Sequence, residues 1–114
     1  MTEAIVNLTV HEVTVMSNGS GISFPASGTE ARIVERTDSV APVVTDGGPV
    51  PTETVWHGEV SNLPPPKPGT TFLVSRLVAM AVPDRDDLVF PSREVRDASG
   101  RIIGCSALGR IASS

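Results

Sequence analysis

Apolar and polar residues alternate in short bursts along this chain, and proline or glycine cuts off each burst. Val6, Leu8 and Val10 alternate with Asn7 and Thr9, and Val13 and Val15 resume the alternation in the opposite phase across His11-Glu12. A strand interrupted by a bulge or tight turn at His11-Glu12 is predicted. Ser17-Asn18-Gly19-Ser20-Gly21 reads as a turn, and Ile22-Ser23-Phe24 as a brief strand ended by Pro25-Ala26-Ser27-Gly28. From Glu30 to Arg36 a further strand would place Ala31 and Ile33 on one face and Arg32 and Val34 on the other. Residues 38–52 carry Val, Pro, Gly and polar residues without a sustained period, with a turn signal at Asp46-Gly47-Gly48-Pro49, and are expected to form a long loop.

Thr54 to Val60 contains β-branched residues and Trp56, and reads as a strand. The rigid run Leu63-Pro64-Pro65-Pro66-Lys67-Pro68-Gly69 ends it, either as a spacer between strands or as a polyproline ligand. Thr71 to Val74 has the continuous apolar character of a buried strand. Ser75 can then cap a helix of about two turns in which Leu77, Val78 and Ala81 share a face, stopped by Pro83. A strand running through 71–82 is the alternative. Arg85-Asp86-Asp87 forms a charged turn before Leu88-Val89-Phe90-Pro91. A closing β-hairpin is predicted from Arg93-Glu94-Val95-Arg96, the turn Asp97-Ala98-Ser99-Gly100 and the apolar run 101–108. Together these elements predict a mainly β (α+β) fold: a small antiparallel sheet or partly rolled barrel with one short helix and a C-terminal hairpin.

Composition narrows this picture. With 114 residues there is room for one core, so residues 1–114 form a single domain. The 10 glycines and 10 prolines exclude long helices and coiled coils, and with no tyrosine the core must be aliphatic apart from Phe24, Phe72, Phe90 and Trp56. One cysteine, Cys105, permits no internal disulfide, and no Cys/His spacing suits zinc. Neither a basic, apolar leader nor a window of about 20 apolar residues is present, so no membrane association is expected and the protein is expected in the cytoplasm. A domain this small buries only about 60–70% of its unfolded surface, which makes a homo-oligomer possible.

The net charge of −4 argues against broad nucleic-acid binding. That charge is unevenly placed. Residues 1–60 carry two arginines against eight acids, net −6, whereas residues 61–114 carry seven bases against five acids, net +2. The halves are complementary, either because they lie side by side in one domain or because the acidic half faces a partner.

Asn7, Thr9 and His11 would share one face of a regular strand, forming a polar binding edge; the alternative is that they satisfy nearby backbone groups. Arg85 suits either pairing with a neighbouring acid or, with Arg32 or Arg76, clamping a phosphate. The ligand-binding candidates are therefore Asn7, Thr9, His11, Arg32 and Arg85. His11 with Cys105 and an acid among Asp84, Asp86 and Asp87 has no local catalytic signature, and Cys105 sits in an apolar strand where an inert buried thiol is the ordinary outcome. Ser75, paired with His57 or His11, lacks the glycine-flanked elbow of a serine nucleophile. Acid spacing at 84–87 does not match a calcium loop, and phosphate-binding glycine motifs are missing, so no cofactor, metal or catalytic residue is assigned.

Asn7-Leu8-Thr9-x-His11, Pro25-Ala26-Ser27-Gly28-x-x-Ala31-Arg32, Leu63-Pro64-x-Pro66, Val74-Ser75, Arg85-x-Asp87-Leu88, Pro91 and Asp97-x-x-Gly100-x-Ile102-Ile103-Gly104-Cys105 occur in order along nearly the whole chain. In these positions it resembles a family of small uncharacterised phage and prophage proteins, common in actinobacterial phages and mobile elements, that begin Asn-Leu-Thr-Pro-His. Val10 stands where that family has proline. The resemblance implies an accessory protein working inside a bacterial host, and brings no activity with it. The function expected is non-enzymatic binding of a host protein or small anionic ligand. The alternatives are a small hydrolase or lyase using His11 with an acid, and a minor virion structural or assembly protein.

Overall fold

A computed structural model describes residues 2–17 and 19–112, and His57 through its backbone alone. The expected turn at 17–21 includes Asn18, which lies outside the described residues. Eight strands and one helix follow in the order β1 (Ala4–Asn7), β2 (Val13–Ser17), β3 (Ser20–Phe24), β4 (Arg32–Thr45), β5 (Gly48–Ser61), β6 (Thr70–Leu73), α1 (Arg76–Ala81), β7 (Leu88–Arg96) and β8 (Ile102–Gly109). The fold is mainly β with one small helix.

Six strands make a curled half-barrel in the order β1-β6-β7-β8-β2-β3. The partly rolled alternative is the one formed, and its pairings are mixed. β2 with β3 and β7 with β8 are antiparallel, whereas β1 with β6, β6 with β7 and β2 with β8 are parallel. Parallel neighbours need crossover connections, and the long excursions between β1 and β6 and across α1 supply them. The curl narrows where the 26–31 segment runs beside β1. Ser27 N donates to Asn7 O at 3.0 Å, Ala31 N donates to Leu8 O at 3.0 Å, and Asn7 pairs with Ala26.

Leu8, Ala31, Phe72, Val74, Val78, Ala79, Leu88 and Phe90 fill the roll, with Ile33, Val60 and Leu63 packed against them. The core is aliphatic but for two phenylalanines, as the composition requires. Ser75 caps α1: its side chain accepts a hydrogen bond from Val78 N at 3.2 Å, and Val78 and Ala79 point into the core. The C-terminal hairpin closes through Asp97, whose Oδ1 accepts from Ser99 N, Ser99 Oγ and Arg101 N, while Gly100 takes the left-handed φ of 88°.

Residues 38–52, expected to be a long loop, are instead the outer part of a β-hairpin. β4 and β5 each run 14 residues and pair antiparallel as a separate two-stranded sheet. At about 3.3 Å per residue the ribbon is roughly 45 Å long. Ile33 and Val60 root its base in the core, and the remainder stands away as an arm. Asp46-Gly47 makes the tip, where Thr45 Oγ1 donates to Gly48 O at 2.8 Å. Pro42, Pro49 and Pro51 are tolerated because each strand of a two-stranded ribbon has one unpaired edge that needs no amide donor. Near the base the register shifts between Ile33 and Glu35, and a Cβ on the facing Gly58 would lie 2.7 Å from Val34 O, so the close approach there requires glycine.

Candidate functional site

The expected polar edge exists as a cluster, but its groups turn inward on one another. β1 ends at Asn7, and the chain folds sharply before β2 begins at Val13. The buried Asn7 amide spans that fold: Nδ2 donates to His11 O and to Phe24 O, both at 2.8 Å. Its Oδ1 accepts from Thr9 N at 2.9 Å and from Thr9 Oγ1 at 2.6 Å. Thr9 Oγ1 also lies 3.0 Å from His11 O. Asn7 and Thr9 therefore serve the backbone, and His11 contributes its carbonyl to the same knot while its side chain is left exposed.

Arg85 is similarly engaged. Its Nε donates to Asp87 Oδ1 at 2.7 Å and its Nη2 to Asp87 Oδ2 at 2.8 Å, a bidentate pair, and Nη2 also donates to Pro64 O at 2.9 Å. The pair ties the charged turn to the proline run, which spaces β5 from β6. Hydrogen bonding from Arg85 holds the Asp87 carboxyl below its ordinary range, and the same bond raises the Arg85 guanidinium above its own. Arg32 lies 3.6 Å from Glu30 on the surface.

The five candidates do not converge. His11 lies at a cavity of about 370 Å³ between β2 and the start of β8, lined also by Val13, Pro91, Glu94, Ile102 and Ile103. Arg32 borders a different hollow beside α1, and Arg85 a third beside the C-terminal segment. Cys105 is buried, with its thiol 3.6 Å from Thr14 O. The side chain of His57 lies outside the described residues, so its suggested pairing with Ser75 has no geometry here, and the Ser75 hydroxyl is occupied in capping α1. Among the described residues no three His, Cys, Asp or Glu side chains gather as metal ligands, and no helix is long and apolar enough to cross a membrane.

The most unusual surface is the arm, which sequence reasoning missed. Val40, Val43, Val44, Val50 and Val55 are exposed along it, Val44 by 80%. Trp56 is half exposed, with Arg36 stacked 5.3 Å from its ring centroid and its Nε1 donating to Asp38 Oδ2 at 3.1 Å. Asp38 also lies 3.6 Å from Arg36, so a charged clamp fixes the indole against the ribbon. A signal for this was present in the β-branched residues on either side of Asp46-Gly47, the two-residue hairpin signature. No protein-family model, curated protein or solved structure matches this chain.

Proposed function

We propose that this chain is a non-enzymatic phage or prophage accessory protein that acts in the bacterial cytoplasm by binding a host protein. One observation carries the reading: the arm holds an apolar surface away from the core. The chain exposes 8140 Å², roughly 2,200 Å² more than the about 5,900 Å² expected of a folded monomer of its mass. Its radius of gyration is 17.9 Å, against about 13 Å for a compact domain of this length. A two-stranded ribbon is marginal in water by itself, and neighbouring exposed apolar side chains such as Val40, Val43, Val44 and Val50 are the mark of a protein-binding surface.

A small anionic ligand is less well supported, because Arg85 is already neutralised by Asp87 and Arg32 borders a different hollow. The test is affinity capture from host lysate with the intact chain and with a variant in which residues 40–51 are replaced by a two-residue turn, with bound small molecules read by native mass spectrometry. A protein retained by the intact chain and lost from the shortened one is expected. Retention of a nucleotide-sized molecule by both, with no arm-dependent protein, would overturn the reading. The arm equally suits contacts within a particle, and co-purification with virions would select the assembly role instead.

A further inference from the structure

We infer that the first occupant of the arm is a second copy of this chain, which receives it on the β7–β8 hairpin while returning its own arm to the same place on the first. The inference rests on the arm being a protein-binding surface; a host protein would reach the arm by displacing the second copy. Charge is the leading reason. Between residues 34 and 59 the arm carries Glu35, Asp38, Asp46, Glu53 and Glu59 against the single Arg36, which lies 3.6 Å from Asp38. The β7–β8 hairpin carries Arg93, Arg96 and Arg101 against Glu94 and Asp97. These opposite charges belong to one chain, yet the arm forms a sheet of its own, and the ion pairs of arm and hairpin, Arg36–Asp38 and Arg96–Glu94, each stay within their own hairpin. A second copy offers the missing complement by construction.

Apolar chemistry matches in the same two places. Exposed valines on the arm would meet exposed Ile102 and Ile103, which border the cavity of about 370 Å³ near the turn end of the hairpin. Within the hairpin, Arg96 is held by Glu94 and by Gly100 O, whereas Arg93 and Arg101 are exposed. Exchange of identical elements about a two-fold axis closes the assembly and leaves no arm uncovered.

Light scattering on the full chain should give about twice the 11.9 kDa monomer mass at micromolar concentration. Two surface variants then test the geometry. Asp46→Lys with Glu53→Lys reverses the arm, and Arg93→Glu with Arg101→Glu reverses the hairpin. Each alone should weaken self-association at least about tenfold, because like charges meet at both contacts. Mixed together they should form a heterodimer near wild-type affinity, since each arm again faces an opposite hairpin. Two outcomes overturn the inference: wild-type chain that is monomeric throughout, or variants that fail to recover on mixing. A monomer whose arm still captures another protein keeps the proposed function and loses only the self-partner; a monomer with no arm-dependent capture loses both.

Discussion

The half-barrel and the arm are built from similar residues and held by different forces. In the barrel, Leu8, Phe72, Val74 and Phe90 each reach a common interior, and register follows from which side chains must be buried. Along the arm, Val40, Val43, Val44 and Val50 have no interior to reach, and local devices set the register: the Asp46-Gly47 turn, a shift between Val40 and Val43, and the Arg36-Trp56-Asp38 clamp. A β-strand can thus be specified by burial or by local hydrogen bonding, and only the first kind should register in the stability of the isolated domain.

The largest effect expected from that contrast is at Leu73, which is fully buried in β6. Leu73→Ala should cost roughly 2–5 kcal/mol in denaturant unfolding, and a loss comparable to that of an arm valine would erase the distinction. Asn7→Ala comes next, at about 2–3 kcal/mol, because it strips the donors from two backbone carbonyls and the acceptor from Thr9. His11→Ala in the same knot should shift unfolding by less than about 0.5 kcal/mol, since the knot uses only its carbonyl.

Arg85→Met should destabilise the barrel by about 1 kcal/mol at neutral pH, as its pair with Asp87 is partly screened. The sign with pH is fixed by the carboxyl. Asp87 titrates below its ordinary value when folded, so the pair's contribution is complete above about pH 4 and is lost as pH falls through the folded value. Wild-type and variant unfolding curves should therefore converge on acidification; a constant gap down to pH 2 would show that the salt bridge is not its source. The smallest effect is expected at the most exposed arm valine. Val44→Asp should leave the unfolding free energy of dilute, monomeric protein within about 0.5 kcal/mol of wild type.

The same contrast explains what could be read from the sequence. Ala31 and Ile33 were assignable to one face because burial imposes a period of two, and Ser75 and the 97–100 turn because caps and turns use specific side chains. The arm has no buried face beyond its base, so 38–52 shows no period, and its prolines read as loop although a free ribbon edge admits them. Asn7, Thr9 and His11 are neighbours through a fold of the chain after β1, not along one strand face. Their spacing could not show that the Asn7 amide would reach across to Phe24, seventeen residues away. Likewise, the complementarity of the −6 and +2 halves was visible in the composition, but not that the acidic arm would stand clear of the body.

The strand order also carries a kinetic consequence. β1 pairs in parallel with β6, more than sixty residues further along, so β1 has no strand partner in the sheet until β6 has been made. β4 and β5 need only close a two-residue turn, an event of microseconds, whereas the non-local barrel pairings belong to the millisecond-to-second regime. The arm should therefore be formed while the barrel is still assembling, leaving nascent chains with an exposed apolar ribbon before they have a core.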